Sequence, residues 1–250
     1  MKIKRGEKKR FALLLACKDS DYAKKVYGGY FHVFKKAFGE RDEYWDLYRV
    51  IDGDFPNPKD LDQYDGFVVS GSPCDAFGND PWIFKLCDLL QKLDEMEKKV
   101  LGICFGHQVL CRALGGKVRR SDSGWDLGLR KVKLVDVKLG FLDNLGEEIP
   151  DSLAIIKCHQ DEVWEVPERA EVLGSSDKTG AEMFGIGDHV LGIQGHPEYT
   201  KDILFDIVDR LLYSEAIKRE VADEAKLKLE SAEPDRIVWE KICKSFLKGR

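Results

Sequence analysis

Val100-Leu101-Gly102-Ile103-Cys104-Phe105-Gly106-His107-Gln108-Val109-Leu110 is the stretch on which the fold turns. An apolar run enters Gly-x-Cys-x-Gly and leaves into a helical pattern. A strand therefore bends sharply into a helix with a cysteine at the bend, the thiol counterpart of the Gly-x-Ser-x-Gly elbow. Glycine on either side lets the backbone turn without a Cβ clash. Cys104 then stands at a helix N-terminus, a setting in which reactive thiols occur. The amide of Phe105 is aimed at negative charge developing on a reacting carbonyl. A buried, inert cysteine at a tight junction has the same local pattern, so the rest of the chain must separate the two.

Working outward, short apolar runs alternate with helical patterns. Strands are expected over 11–17, 45–51, 67–70 and 100–103, with helices over 27–38 and 81–98. Most of these runs are apolar without alternation, which places helices on both faces of a mostly parallel sheet. After Gly115-Gly116 the segments 118–120, 129–137, 153–157, 172–175, 182–186 and 190–194 are shorter and more alternating. These read as a small mixed or antiparallel addition. A helix over 201–213 closes the catalytic-sized domain, 11–213. Residues 1–10 read as a flexible basic tail, and 214–250 as a helical C-terminal extension packed on the core.

Composition limits the partners. Lys+Arg 40 against Asp+Glu 45 gives a net charge of −5, so no basic field draws the chain to nucleic acid or to an anionic membrane. Seven scattered cysteines without a CxxC pair support neither a disulfide framework nor a zinc site, and no metal or cofactor is expected. A reducing, cytoplasmic compartment fits them. The start of the chain imitates a signal peptide ending at Cys17, but its apolar segment, 11–16, is shorter than the usual h-region. Cleavage there would also remove the first strand.

A second motif gives the elbow its meaning. Val190-Leu191-Gly192-Ile193-Gln194-Gly195-His196-Pro197-Glu198 is another apolar strand, and its end delivers a histidine with a carboxylate two positions later. A thiol nucleophile needs a base within reach and a third group to orient that base. His196 and Glu198 can supply both. Phe67-Val68-Val69-Ser70-Gly71-Ser72-Pro73 ends a strand in a small-residue loop suited to a second oxyanion donor, at Ser72. Lys157-Cys158-His159-Gln160-Asp161-Glu162-Val163 is a polar cluster after a strand, fit to hold an amino or carboxylate group.

Together these four segments resemble the class I glutamine amidotransferase family over 11–213, in the family's order. The resemblance implies a flavodoxin-like α/β fold. It also implies a Cys104 nucleophile, His196 as base and acid, Glu198 orienting His196, and an oxyanion hole from Phe105 and Ser72. Gln108, His159, Gln160 and Asp161 would hold the glutamyl group. Ser72 departs from the family's usual glycine before the loop proline.

Within the family, the Ser-Gly-Ser-Pro loop, the His-Gln-Asp-Glu-Val segment and the helical tail are similar to those of standalone plant γ-glutamyl peptidases. That likeness implies hydrolysis of the γ-glutamyl bond of glutathione or its S-conjugates through a thioester, in glucosinolate-type sulfur metabolism. The chain shows no Gly-x-x-x-x-Gly-Lys-[Ser/Thr] phosphate loop and no second domain for ATP chemistry. No obligatory synthase partner is therefore expected. The competing readings are a glutaminase that supplies ammonia to a separate synthase, and a binding protein that keeps the fold without catalysis.

Overall fold

The computed structural model describes residues 8–135 and 149–249. Its strands are β1 (Arg10–Leu14), β2 (Tyr44–Tyr48), β3 (Gly66–Val69), β4 (Lys99–Ile103), β5 (Lys117–Arg120), β6 (Asp126–Leu134), β7 (Ser152–His159), β8 (Asp161–Glu165), β9 (Glu171–Ser175), β10 (Met183–Ile186) and β11 (Val190–Ile193). Its helices are α1 (Asp21–Tyr27), α2 (Tyr30–Phe38), α3 (Pro81–Glu95), α4 (Phe105–Ala113), α5 (Lys201–Tyr213), α6 (Arg219–Ser231) and α7 (Arg236–Lys248).

Nine strands form one sheet in the order β2-β1-β3-β4-β11-β10-β9-β6-β7, and β5 pairs with β8 in a separate ribbon. β2, β1, β3, β4 and β11 run parallel, while β10, β9, β6 and β7 continue the sheet with antiparallel pairings. This is an α/β architecture, and the antiparallel strands extend the parallel core as part of the same sheet. Side chains alternate between its faces, as the two-residue period of a strand requires. Leu13, Val68, Leu101 and Leu191 pack in one cluster with α2 and α7. Leu14, Phe67, Val69, Val100 and Val190 pack in the other with α3 and α4.

Several boundaries differ from the sequence reading. The helix expected over 27–38 begins at Tyr30 as α2; Tyr27 instead ends a separate helix, α1, and Gly28 and Gly29, at φ of 77° and 107°, stand between the two. A Cβ on Gly29 would come within 3.0 Å of Asp19 Oδ1, and that carboxylate oxygen accepts from the Tyr30 amide that opens α2. The strand expected over 45–51 stops at Tyr48 and passes into a single 3-10 turn, Val50–Asp52. α3 ends at Glu95, and Glu97 at φ 51° reverses the chain into β4. His159 is the last residue of β7 and Asp161 the first of β8, so the polar cluster includes strand ends as well as the turn between them. Residues 136 and 137 of the strand expected over 129–137 lie outside the described residues, as do 1–7 of the expected tail. Arg10 is the first residue of β1, bonded to Asp46 and Gln63.

The C-terminal helix contributes directly to the core. Trp239, Ile242, Cys243, Phe246 and Leu247 of α7 are buried in the cluster that contains Phe11 and Trp45. Its entry is pinned to β7: the Ala154 amide donates to the Asp235 carboxylate at 2.6 Å, and the Asp235 amide donates to the Ala154 carbonyl at 2.9 Å. α6 covers β6 through Ala222, Ala225 and Leu229.

Candidate active site

The site forms where the carboxyl ends of β3, β4 and β11 lie side by side, the usual position for ligand crevices in open α/β sheets. Ile103 pairs with Ile193 in register, so Cys104 and Gln194 leave their strands together. The Cys104 amide donates to the Ile193 carbonyl at 2.8 Å. Cys104 itself has φ 54° and ψ −104° as the N-cap of α4. A non-glycine residue in this region carries about 1–3 kcal/mol of strain, stored here at the elbow. The positions two residues before and two after Cys104 must be glycines because the packing leaves no room. A Cβ on Gly102 would meet the Gly106 carbonyl oxygen at 2.5 Å, and one on Gly106 would meet that of Val69 at 2.3 Å.

His196 lies across from the elbow, buried, its amide donating to the Ile156 carbonyl of β7 at 2.8 Å. Its Nδ1 is 2.8 Å from Glu198 Oε1. Since a carboxylate only accepts, Nδ1 donates and Nε2 is left for Cys104. Burial disfavours charge on this imidazole, but Glu198 and Cys104 more than offset it and raise His196 to about 10. Gly71 closes the third side. A Cβ there would stand 2.9 Å from His196 Cε1 and 3.7 Å from Cys104 Cβ. Ser72 has no left-handed φ, so a side chain in place of the family's glycine costs no strain at this position. Its hydroxyl accepts from the Cys74 amide at 3.1 Å and stiffens the loop.

A cleft of about 600 Å³ opens in front of these groups. Ser72, Cys104, Gln108, His159, Gln160, Asp161 and His196 all line it. Glu198 sits behind His196, fully buried. The Phe105 ring packs on Trp82, and its backbone amide has no intrahelical acceptor because it is the first residue of the helix.

The polar wall is tightly bonded within itself. Gln108 Nε2 donates to the Asp161 carbonyl at 2.8 Å and to Gln194 Oε1 at 3.0 Å, leaving its carbonyl oxygen for a ligand. His159 Nδ1 donates to the same Asp161 carbonyl at 2.9 Å. Burial, then Lys157, pushes His159 down to about 3, so it is neutral. Beneath it, fully buried Lys157 pairs with Glu182, and Asp126 Oδ2 lies 3.7 Å from both Lys157 Nζ and His159 Nε2.

Arg120, Asp75, Gly71, Trp125, Tyr199 and Arg210 also belong to this region, and the sequence reading missed them as site residues. Arg120 bonds Asp75 at 2.8 Å, Asp161 at 3.0 Å and Gln160, tying the Ser72 loop to the His159–Asp161 turn. Burial, with a contribution from Asp75 and against Arg120, raises Asp161 to about 6. Nothing local distinguishes Arg120 from its neighbour Arg119, which faces Trp164 on the other side of the ribbon. Gly71 and Tyr199 did carry a signal, since they sit directly beside Ser72 and Glu198. Among the described residues, no group of three or more His, Cys, Asp or Glu side chains is placed to hold a metal ion. No helix among them is long and apolar enough to cross a membrane.

An α/β fold with a cysteine elbow and a histidine–glutamate pair just past the end of the neighbouring strand defines a class of protein, and comparison with known proteins agrees. The chain belongs to the class I glutamine amidotransferase family, whose model matches residues 24–203. It is 60% identical over 245 residues to Gamma-glutamyl peptidase 5 of Arabidopsis thaliana, covering 98% of each chain. It is 59% identical over 244 residues to Gamma-glutamyl peptidase 3 of the same plant, covering 97% of this chain and 98% of the relative. A crystal structure of a glutamine amidotransferase from Thermotoga maritima superposes with a TM-score of 0.72 at 23% identity, covering 97% of this chain and 98% of that one.

Proposed function

We propose that this protein is a cysteine-dependent γ-glutamyl peptidase that hydrolyses glutathione or glutathione S-conjugates and releases glutamate. The observation that carries the reading is the elbow cysteine facing a buried His196 whose Nδ1 is held by Glu198 at 2.8 Å. The names and identities of the Arabidopsis relatives support the γ-glutamyl specificity.

In this reading His196 takes the Cys104 proton and the thiolate attacks the γ-carbonyl carbon. The oxyanion is received by the Phe105 amide and the Ser72 loop. The C–N bond then breaks as the His196 imidazolium gives its proton to the leaving amine, and a glutamyl thioester remains on Cys104. Water, deprotonated by His196, attacks the thioester; glutamate leaves and the thiol is restored. Gln108 and the His159–Asp161 turn hold the glutamyl end. The enzyme acts in the cytosol without a synthase partner, and its place is in the turnover of glutathione-derived sulfur compounds, glucosinolate precursors included.

The test is incubation with glutathione, an S-conjugate and glutamine, with glutamate, dipeptide and ammonia measured. Dipeptide released by the wild type and abolished by Cys104→Ala is the expected result. Ammonia from glutamine alone, with no dipeptide from either glutathione substrate, overturns it in favour of a glutaminase.

A further inference from the structure

The Glu198 hydrogen bond leaves one freedom of His196 unexplained. That bond tolerates a range of angles, so the ring can still rock about its Cβ–Cγ bond while Nδ1 stays within reach of Oε1. Rocking swings Nε2 away from Cys104. The structure removes this freedom with an aromatic ring. Tyr199 lies parallel to the imidazole, with centroids 3.9 Å apart and planes inclined by 4°. The chain folds back to make this contact: the Tyr199 amide donates to the His196 carbonyl at 3.4 Å, which brings residue i+3 over residue i. Tyr199 is backed in turn by the Tyr30 ring of α2, 6.4 Å away and inclined by 30°.

We infer that Tyr199 is a positioning residue for His196, holding the imidazole in the plane that presents Nε2 to Cys104 and stabilising its protonated form through the π face. The inference rests on the proposed role of His196 as the base. A cation over an aromatic face is stabilised by the ring quadrupole, and more so where water is excluded. His196 is buried, and its imidazolium is the form that must exist while the thiolate attacks. Glu198 supports that form from the ring edge and Tyr199 from the face. An aliphatic side chain would fill the same space without the quadrupole.

The titratable groups around the pair come from every neighbouring element. Glu198 and Cys104 act on His196 directly, and His159 of β7 senses it. Tyr30 of α2 packs on the Tyr199 ring, and Glu198, Cys17 after β1, Cys158 of β7 and Arg210 of α5 lie within electrostatic reach of it. These groups are unchanged by a substitution at Tyr199, so a difference between its variants reports on the ring.

The experiment titrates the His196 ring by nitrogen-15 NMR of histidine-labelled protein, assigned with His196→Gln, in the wild type, Tyr199→Phe, Tyr199→Leu and Tyr199→Met. Tyr199→Phe keeps the π face and is expected to lose the imidazolium at the wild-type pH. Tyr199→Leu and Tyr199→Met are expected to lose it about one pH unit lower, the size of a cation–π contact in a desolvated site. Turnover of a γ-glutamyl substrate should fall about tenfold in the aliphatic variants with little change in KM. Two aliphatic variants guard against one failing to fold. An unchanged His196 titration in either folded aliphatic variant overturns the inference. Failure of the wild type to cleave γ-glutamyl substrates would bear on the proposed activity alone, because the titration needs no substrate.

Discussion

His196 Nδ1 and Glu198 Oε1 stand 2.8 Å apart with the carboxylate wholly removed from solvent. The bond decides the tautomer of His196 as well as its orientation: a proton held at Nδ1 leaves Nε2 free, and in the proposed mechanism Nε2 receives the one from Cys104. Glu198→Gln preserves shape but can present an N–H where an acceptor is required. Turnover is expected to fall by roughly 100- to 10,000-fold, with the circular dichroism spectrum unchanged. Steady-state kinetics against a γ-glutamyl peptide check this, and a wild-type rate would leave Glu198 with a structural part only.

Gly71→Ala tests the close approach of the Ser72 loop. The added Cβ would lie 2.9 Å from His196 Cε1. Either the loop or the imidazole must move, and the proposed mechanism needs both where they stand. Activity should drop more than tenfold while stability falls by about 1–3 kcal/mol, the usual cost of overpacking. Urea unfolding beside the kinetics separates the two effects.

The elbow strain at Cys104 gives an opposite sign. Cys104→Gly and Cys104→Ala both remove the thiol, so both should be inactive. Only glycine adopts φ 54° and ψ −104° freely. Cys104→Gly is therefore expected to be more stable than Cys104→Ala by about 1–2 kcal/mol, measured as a difference in urea midpoints. Equal midpoints would mean that the elbow is unstrained.

His107, fully buried behind the elbow, is a source of acid sensitivity. Burial, against the nearby backbone of Gly192 and Ala181, lowers it to about 3 from an ordinary 6.5. The unfolded chain therefore binds a proton that the folded chain refuses. Stability is fully present above about pH 6.5 and is lost as pH falls toward 3, at about 1.4 kcal/mol per pH unit. Between pH 7 and pH 5 the wild type should lose about 2 kcal/mol more than His107→Phe. Unfolding curves at the two pH values give the comparison.

The sequence by itself determined the local geometry. A strand that bends into a helix at a cysteine between two glycines, and a strand that ends in His-Pro-Glu, are short-range arrangements set by neighbouring residues. Both were readable for that reason, as was the alternation of apolar runs that makes an α/β sheet. The break at Gly28-Gly29 leaves no mark in the apolar pattern, because α1 before it buries only Ala23.

What only the tertiary structure decided depends on distances between residues far apart in the chain. The in-register pairing of β4 with β11 brings Cys104 opposite the His196 segment. Gly71 is required there because His196 occupies the space of its missing side chain, and α7 is core because Trp239 and Phe246 find the face of the sheet beside Phe11. Arg120 joins Asp75 to Asp161 only because β5 pairs with β8 beneath the Ser72 loop. Hydrogen bonds, stacking and desolvation act over a few ångströms, so the chain encodes them only through the folded path that closes those gaps.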